Sequence, residues 1–540
     1  MTQQFGQGFE GLEDRTLLAA NVTAVLSGGT LTITGDVTAN DIDVYGDGTA
    51  GNVEVFVNGQ TLSGNGAVVA GDDQTFTGVK NIVVKSNGGD DSIDIYDVAV
   101  GGYVSANAGA GEDTIYLSSY DYDTTIAGNV TLSGGGGVGD ETYVYSDNSY
   151  GLLVGGNLTM SANDHSYQEI YTEDYGDLAI RGNVVINATS LAGGYGYGSI
   201  YTDDNYGNID IGGSVTMNFG AGDDYGLIQT DDYGSSIHVA GSVTMNLGAG
   251  DDYGVITTEY NNTSITTGAV TMNGGAGENA MLINTDDFNS NITTGSVTMT
   301  GGNSDDYMYV SAYYDNVTVN GDVTMNGNGG SDEMYLTSDD YGAILSVTGN
   351  VTLNGGTGDD YAYVYGDFPD SVVDIGGNLT MNGDNGVDDL QVYSDDHNAN
   401  INIHGNLTMN GGNQGDYLSV ATYNSYGNID ITGNLTLNGG SGNDDIYITN
   451  EEFEVSNIVA NNVTVNGGDG NDYIEAYGAL ALGNVNINGG NGNDYLFVEN
   501  NKVFGNFTYN GWFGTDTLDV GINGNDVFGA INTPFVEVFI

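Results

Sequence analysis

Apolar and polar residues alternate with a period of two along most of the chain, which predicts β-strands and excludes amphipathic helices. Segments 407–409, 418–420 and 429–431 each place one polar residue between two apolar ones. The polar turns 410–416 and 422–428 separate these segments and are rich in Gly, Asn and Asp, residues that favour tight turns. Each such stretch therefore predicts three short strands joined by corners.

The same pattern recurs along the chain, most often after 28 residues. The first apolar residue of each unit is Ile82, Val104, Val130, Leu158, Val184, Val215, Val243, Val270, Val297, Val323, Val351, Leu379, Leu407, Leu435, Val463, Val485 and Phe507. A fixed period in this range is typical of repeat proteins, in which a unit buries its apolar face only against its neighbours. The sequence predicts an all-β fold, a right-handed parallel β-helix (solenoid) with three short strands per coil of about 28 residues and about 17 coils. At the usual strand spacing such a rod is about 80 Å long.

The repeat also places equivalent residues of successive coils in columns, one residue per coil, and two such columns can be predicted. The Met residues two places after the first apolar residue, such as Met381 and Met409, are expected to face inward and pack in the core. Asn occupies the next place in most units, and stacked Asn side chains are expected to pass amide hydrogen bonds from coil to coil at a corner. These residues are Asn187, Asn218, Asn246, Asn273, Asn326, Asn354, Asn382, Asn410, Asn438, Asn466, Asn488 and Asn510.

The charge and composition of the chain exclude several classes of protein function. The chain of 540 residues has 73 Asp and Glu against 5 Lys and Arg, a formal charge of −68, and contains no Cys. Disulfide frameworks and Cys-based metal sites are therefore excluded. A nucleic-acid partner is not expected, because phosphate binding needs a cationic face. No apolar run approaches the ~20 residues of a membrane-spanning helix.

The Gly-rich turn of each coil carries an acid nine places after the first apolar residue, in a column of Asp224, Asp252, Asp306, Asp332, Asp360, Asp388, Asp416, Asp444, Asp472 and Asp494. Turns such as Gly439-Gly440-Ser441-Gly442-Asn443-Asp444 resemble the calcium-binding nonapeptide GGxGxDxUx of RTX proteins. The resemblance implies calcium as the cofactor, held by the Asp column and by turn carbonyls. The glycines carried over from the motif are Gly356, Gly358, Gly440, Gly442, Gly468, Gly470, Gly490 and Gly492.

Two departures from the RTX pattern keep a second interpretation open. RTX repeats follow one another every nine residues, whereas this chain has one such turn per coil, and Asn279 replaces the acid in one unit. The alternative is that the Gly-Asn-Asp turns form tight solvated corners with no metal.

The two ends differ from the repeats. Residues 9–19 resemble the LEPR-xLL segment of exported planctomycete surface proteins, with Asp14 in place of the Pro of that pattern. The resemblance implies that residues 1–20 are an export segment and that the protein is extracellular or located at the cell surface. Residues 21–80 are expected to form a β-rich N-terminal cap, 81–520 the parallel β-helix, and 521–540 a C-terminal cap or terminal strand.

These features favour a secreted, calcium-stabilised structural or adhesive solenoid rather than an enzyme. Expected partners are further copies of the chain, joined end to end or laterally, and surface glycans on the outward Tyr ladder. The alternative is a polysaccharide-acting β-helix enzyme, but the few basic residues are scattered and no acid, base and orienting group come together in the sequence. A less favoured alternative is ice or crystal-surface binding by the outward Thr column.

Overall fold

The computed structural model describes residues 21–64, 67–68, 72–203, 205–423, 426–450, 457–521, 524–534, 536 and 538–539. The export segment predicted for residues 1–20 lies outside this part of the chain. The described residues form β-strands and turns arranged in three sheets.

The first sheet has 22 strands. They are Asn21–Ser27, Thr30–Thr34, Thr61–Gly64, Ala67–Val68, Asn81–Gly88, Val104–Ala110, Val130–Gly135, Leu158–Asn163, Val184–Thr189, Val215–Phe219, Val243–Ala249, Val270–Ala276, Val297–Thr300, Val323–Gly329, Val351–Thr357, Leu379–Asn385, Leu407–Asn413, Leu435–Ser441, Val463–Asp469, Val485–Asn491, Phe507–Phe513 and Ile531–Asn532.

The second sheet follows the Gly-rich turns. Its strands are Asp41–Gly46, Asn52–Val57, Asp73–Thr77, Ser92–Tyr96, Thr114–Ser119, Glu141–Ser146, Ser166–Thr172, Gly196–Thr202, Tyr225–Thr230, Tyr253–Thr258, Ala280–Thr285, Tyr307–Ala312, Glu333–Ser338, Tyr361–Gly366, Asp389–Ser394, Tyr417–Thr422, Asp445–Asn450, Tyr473–Tyr477, Tyr495–Glu499, Thr517–Val520 and Val538–Phe539.

The third sheet has 17 strands, one in each coil. They are Ala99–Val100, Thr124–Ile126, Gly151–Val154, Asp177–Ile180, Asn208–Ile211, Ser236–Val239, Ser264–Thr267, Asn291–Thr294, Asn316–Val319, Ile344–Val347, Val372–Ile375, Asn400–Ile403, Asn428–Ile431, Asn457–Ala460, Leu480–Ala481, Lys502–Val503 and Asp526–Val527. The predicted parallel β-solenoid with three strands per coil is therefore confirmed, and the coil number is close to the predicted one.

Successive coils pair in parallel and in the register that the repeat predicts. Leu379 lies opposite Leu407, and Leu407 lies opposite Leu435. Inward side chains thus stack on like side chains of the next coil, and Met381 and Met409 are fully buried in one continuous core. The inward prediction for the Met column is confirmed.

The Asn ladder is confirmed as well, with one correction to its position. The Nδ2 atom of Asn410 donates a 2.7 Å hydrogen bond to Oδ1 of Asn382, and Asn438 donates in the same way to Asn410. Asn410 lies inside the strand Leu407–Asn413 and is partly exposed, so the ladder runs along a strand face and not along a corner. The Gly-rich stretch after Asn410 continues the strand before the chain turns.

The first strands differ from the coils because they pair antiparallel. Asn21–Ser27 pairs antiparallel with Thr30–Thr34, and Asn52–Val57 pairs antiparallel with both Asp41–Gly46 and Asp73–Thr77. The parallel coils begin where Thr30–Thr34 pairs with Asn81–Gly88 and Asp41–Gly46 pairs with Ser92–Tyr96. Within the described ranges, no helix has the length and apolar character needed to cross a bilayer.

Candidate metal-binding column

The ten acids predicted as metal ligands form one column at the corner between the first and second sheets. Asp360, for example, follows the strand Val351–Thr357 and immediately precedes Tyr361–Gly366. All ten acids face inward, and each is 0–2% exposed. The corners are therefore not solvated as the second interpretation expected, because these side chains have been removed from water.

One oxygen of each carboxyl group is held by the backbone of the preceding coil. The amide nitrogen of Asp360 donates a 2.9 Å hydrogen bond to Oδ1 of Asp388, and that of Asp388 donates to Oδ1 of Asp416. The same bond of 2.7–3.0 Å joins the acid amide of one coil to the acid of the next at Asp224, Asp306, Asp332, Asp416, Asp444, Asp472 and Asp494. The column is thus a continuous chain of backbone-to-carboxyl hydrogen bonds.

The second carboxyl oxygen has no such donor in most coils. Within the described part of the chain, no hydrogen-bond donor reaches the buried Oδ2 atoms of Asp252, Asp332, Asp360, Asp388, Asp416, Asp444, Asp472 and Asp494. Asp224 and Asp306 differ, because the amides of Gly220 and Gly302 donate to their Oδ2 atoms. Burying a carboxylate oxygen without a hydrogen-bond partner costs folding free energy, and a bound proton or cation at each of these atoms would reduce that cost.

Burial changes the protonation of the column. Desolvation raises the pKa of Asp252, Asp332, Asp388 and Asp416 to about 7. It raises the pKa of Asp360, Asp444, Asp472 and Asp494 to about 6, although the hydrogen bond from the neighbouring amide acts in the opposite direction. The pKa values of Asp224 and Asp306 are also raised, for the same main reason. Near neutral pH the column therefore holds carboxyl groups that are poorly stabilised as anions.

Asn279 shows which hydrogen bonds a neutral side chain makes in the acid column, where its Nδ2 atom replaces the Oδ2 atom of an Asp. Its Oδ1 accepts from the amide of Asp252, as an Asp of the column does. Its Nδ2 donates to the carbonyl oxygen of Gly277 at 2.9 Å and to Oδ1 of Asp306 at 2.8 Å. In this coil the donor group Nδ2 therefore lies between two oxygen atoms. In the Asp coils the equivalent atom is Oδ2, which cannot donate a hydrogen bond when the carboxyl group is ionised.

The glycines of the turn are required by the close stacking of the coils. A Cβ atom on the first glycine, such as Gly355, would collide with Oδ2 of Asp360. The second glycines Gly356, Gly440, Gly468 and Gly490 and the third glycines Gly358, Gly442, Gly470 and Gly492 all have positive φ, and a Cβ there would collide with a backbone carbonyl oxygen of the preceding coil. The glycines predicted from the motif are therefore needed because any larger residue would prevent the coils from stacking this closely.

The third glycine brings oxygen atoms of two coils close together. A Cβ atom on Gly386 would collide with the carbonyl oxygen of Gly358 and lie 3.1 Å from Oδ1 of Asp388. A Cβ atom on Gly137 would collide with the carbonyl oxygen of Gly111 and lie 2.9 Å from Oδ1 of Asp140. Carboxylate and carbonyl oxygen atoms are the ligands that Ca²⁺ prefers. By donor type and by its unpartnered Oδ2 atoms, the corner fits calcium.

The column continues beyond the predicted ligands. Asp91, Asp113 and Asp140 are also buried at this corner, with the same amide-to-Oδ1 hydrogen bonds and unpartnered Oδ2 atoms. The pKa values of Asp91 and Asp140 are raised to about 6 by burial. Asp140 was missed because its turn, Gly134-Gly135-Gly136-Gly137-Val138-Gly139, is one residue longer than the pattern used to align the units.

A separate acidic group lies on the outer face of the second sheet. Single carboxylate oxygens of Asp41, Asp43 and Asp94 lie within 4.8 Å of one another. Burial and the neighbouring Asp43 raise the pKa of Asp94 to about 7. This group could not be predicted from the repeat, because Asp43 and Asp94 are 51 residues apart and are brought together only by the pairing of Asp41–Gly46 with Ser92–Tyr96.

The outward Tyr ladder is present, and it consists of short parallel stacks together with tilted and edge-on pairs such as Tyr335 with Tyr363. Tyr145 stacks on Tyr171, and Tyr171 on Tyr201, with ring centroids 4.9 and 5.1 Å apart and nearly parallel planes. Tyr365 and Tyr393 stack in the same way at 4.8 Å. The ring faces inside such stacks are covered by neighbouring rings, so only the rings at the ends present a free face.

Comparison with known proteins adds no further identification: no protein-family model, curated protein or solved structure matches this chain. The β-solenoid and its buried acid column are therefore the basis of the functional argument.

Proposed function

We propose that this chain is a secreted structural or adhesive β-solenoid of the cell surface or extracellular matrix, stabilised by calcium at its acid column. The observation that carries the proposal is the row of buried Oδ2 atoms without donors in glycine-rich turns. An anion at each of these positions costs folding free energy, and a bound cation removes that cost. A cation bound only by the folded rod then increases its stability by mass action.

The residues that would hold calcium are the column acids Asp224, Asp252, Asp306, Asp332, Asp360, Asp388, Asp416, Asp444, Asp472 and Asp494, with carbonyl oxygens of the turn glycines. Bound calcium would supply positive charge to carboxylates that have almost no basic residues near them, since the chain has only 5 Lys and Arg. The protein's own contribution is to fix the oxygen atoms at the corner through the amide-to-Oδ1 hydrogen bonds.

The proposed location and role agree with the rest of the molecule. A rod of stacked coils offers long, uniform faces, and the excess of acid keeps such a surface soluble. Millimolar calcium is typical of extracellular sites of low affinity. For the enzyme alternative, the described residues provide the acidic pair Asp43 and Asp94, and the groove beside it is lined by Tyr, Ser and Asp. That lining lacks a basic group, so we retain the structural role.

The test compares thermal unfolding with and without calcium at pH 7, followed by circular dichroism, together with elemental analysis of the purified protein. We expect the melting temperature to rise strongly with millimolar calcium and a chelator to reverse the rise. The informative variant is Asp444→Asn with Asp472→Asn, because Asn279 shows that Asn fits the column and keeps its hydrogen bonds. This variant should bind less calcium and remain folded.

The matched control is Asp430→Asn with Asp526→Asn, which removes the same charge from exposed positions of the third sheet. The control should bind as much calcium as the original protein. Identical melts with and without calcium, together with no calcium in the elemental analysis, would overturn the metal proposal and leave protonation as the remaining way to satisfy the column.

A further inference from the structure

A groove of about 510 Å³ opens on the outer face of the second sheet, the face that points away from the buried acid column. Its lining includes Asp43, Asp94, Tyr96, Ser118, Asp121 and Tyr145. The side chains come from four neighbouring strands of the second sheet, Asp41–Gly46, Ser92–Tyr96, Thr114–Ser119 and Glu141–Ser146, and from the loop after Thr114–Ser119. The groove is therefore a product of coil stacking, which no single repeat contains.

The groove exists because one member of a Tyr column is missing. Tyr45, Tyr96, Ser118, Tyr145 and Tyr171 lie opposite one another in successive strands. Tyr45 and Tyr96 stack at 5.4 Å with planes 11° apart, and Tyr145 and Tyr171 stack at 4.9 Å with planes 7° apart. Ser118 separates the two stacks and is buried, so Tyr96 and Tyr145 are the end rings beside the gap. Tyr116, which also lines the groove, meets Tyr145 edge-on at 6.4 Å.

The width of the gap admits a small group. The backbones of Tyr96 and Tyr145 are two strand spacings apart, roughly 9–10 Å along the rod. A cation in this gap can lie over an end ring within the ~6 Å range of cation–π attraction. An aromatic ring also fits this width, since neighbouring rings of the intact stacks are 4.9 and 5.4 Å apart, so charge and not width distinguishes the ligands.

The charge of the groove selects the sign of the ligand. Asp43 and Asp94 lie at one side of the gap and Asp121 at the other, and no Lys, Arg or His is among the lining residues. Repulsion from Asp43, in addition to burial, raises the pKa of Asp94 to about 7, so a positive group nearby would be attracted by the pair. An anionic ligand is disfavoured by the same residues.

The loop that carries Asp121 at one side of the groove is held in place by hydrogen bonds within the protein. The buried Asp97 accepts hydrogen bonds from the amide nitrogens of Tyr120, Asp121 and Tyr122, at 2.8, 3.2 and 3.1 Å to its Oδ1 atom. A preorganised wall reduces the ordering cost of binding. The groove thus combines aromatic rings at the ends of two stacks, acidic sides and a rigid edge.

We propose that this groove binds an organic ammonium group, held against the rings of Tyr96 and Tyr145 and beside the carboxyl groups of Asp43, Asp94 and Asp121. The ammonium group belongs to a small free amine or to an amino sugar, since both carry the charge and the apolar carbon atoms that this lining accepts.

The same construction occurs a second time. Ala280 lies between Tyr253 and Tyr307 in another Tyr column, and a groove of about 340 Å³ opens there. Its lining includes Asp251, Glu278 and Asp305, again without a basic residue. Both grooves therefore lie where a small residue replaces Tyr in a Tyr column and acidic residues flank it.

The test is ligand-observed NMR with the full chain in calcium-containing buffer. The probes are choline and glucosamine, and their neutral counterparts are 3,3-dimethylbutan-1-ol and N-acetylglucosamine. We expect saturation transfer to at least one ammonium probe and at least about tenfold weaker transfer to its neutral counterpart. Choline binding indicates a free amine, and glucosamine binding without choline binding indicates an amino sugar.

Variants locate the site. Ser118→Tyr restores the Tyr column and closes the gap, whereas Ser118→Ala keeps the gap open and serves as its matched control. We expect Ser118→Tyr, combined with Ala280→Tyr, to reduce binding at least about tenfold, and Ser118→Ala to leave it unchanged. Circular dichroism would verify that each variant is folded. Equal binding of charged and neutral probes, unchanged binding in the folded double-Tyr variant, or no binding of either ammonium probe would overturn the proposal.

Discussion

The amide nitrogen of Asp444 donates a 3.0 Å hydrogen bond to Oδ1 of Asp472 in the next coil, and both side chains are buried. This bond makes each acid a structural part of the neighbouring turn, independent of any metal. It also fixes the other carboxyl oxygen, Oδ2, against the first glycine of the same turn, Gly439 for Asp444 and Gly467 for Asp472. The column therefore couples turn formation to the charge state of its carboxyl groups.

The first prediction concerns pH in the absence of metal. Burial raises the pKa of Asp252, Asp332, Asp388 and Asp416 from 3.8 to about 7, so the folded state binds protons more tightly than the unfolded state. The stabilisation from these protons is complete below about pH 4 and is lost as the pH rises towards 7. In chelator we expect the melting temperature to fall between pH 4 and pH 7.5, opposite to ordinary acid denaturation.

Calcium provides the comparison for this prediction. Because calcium competes with protons for the same carboxylates, its stabilising effect should be small near pH 4 and large near pH 7.5. The measurement is a series of circular dichroism melts at four pH values, with chelator and with millimolar calcium. A melting temperature in chelator that rises from pH 4 to pH 7.5 would contradict the raised pKa values.

The strand register could be predicted because the period of two and the 28-residue repeat constrain every coil in the same way. The register of Leu407 and the hydrogen bond from Asn438 to Asn410 were predicted correctly for this reason, although Asn410 was assigned to a corner. The burial of the acids was also available from the sequence: Asp444, Ile446 and Ile448 alternate, and residues two apart in a strand share a face. The acidic turn was treated as a corner, so this extension of the alternation was not applied to it.

Other features could not be read from the repeat. The antiparallel pairing of Asn21–Ser27 with Thr30–Thr34 occurs where the register is irregular. The groove beside Ser118 depends on which residues of distant coils become neighbours and on how their rings stack. Such features arise from departures from the repeat, and a periodic pattern predicts only what the coils share.

The second prediction tests the steric role of the third glycine. Gly358 has a φ of +132°, and a Cβ atom there would collide with the carbonyl oxygen of Gly330 in the preceding coil. Gly358→Ala should destabilise the rod by about 2–4 kcal/mol, because it combines backbone strain of about 1–3 kcal/mol with the clash. The measurement is chemical denaturation with saturating calcium.

Gly342→Ala is the matched control for this variant. Gly342 also has positive φ, +72°, but a Cβ atom there would meet nothing within 4 Å. The control therefore carries the backbone strain alone, about 1 kcal/mol. Equal losses of stability in the two variants would show that close stacking of the turn carbonyls contributes nothing.

The third prediction concerns self-association. Trp512, Phe513 and Phe528 are 55–67% exposed in the last coils, and Phe504 stacks on Phe528 at 5.0 Å. Exposed aromatic groups close together are typical of interaction surfaces. We expect the calcium-loaded protein to form filaments or sheets, visible by electron microscopy and light scattering, and Phe513→Ser with Phe528→Ser to reduce them.

The control for self-association is Tyr233→Ser with Tyr341→Ser, which removes two exposed aromatic rings from the middle of the rod. This control should assemble as the original protein does if contact is end to end. Only monomers over a wide range of protein and calcium concentration would count against assembly, and equal loss in both variants would favour lateral contact.

The last prediction uses the natural exception in the column. Asn279 donates from Nδ2 to the carbonyl of Gly277 and to Oδ1 of Asp306. Asn279→Asp replaces this donor with an oxygen at a buried position, which leaves polar groups unsatisfied at a cost of about 1–3 kcal/mol. In chelator at pH 7.5 we therefore expect a lower melting temperature than that of the original protein. With millimolar calcium the new carboxylate adds a ligand, so the loss should be recovered and the calcium-induced rise in melting temperature should be larger. Glu278→Asp, which alters the exposed neighbouring acid without changing the charge, should have little effect under either condition. Equal losses of stability for Asn279→Asp in chelator and in calcium would show that the corner does not bind the ion at this coil.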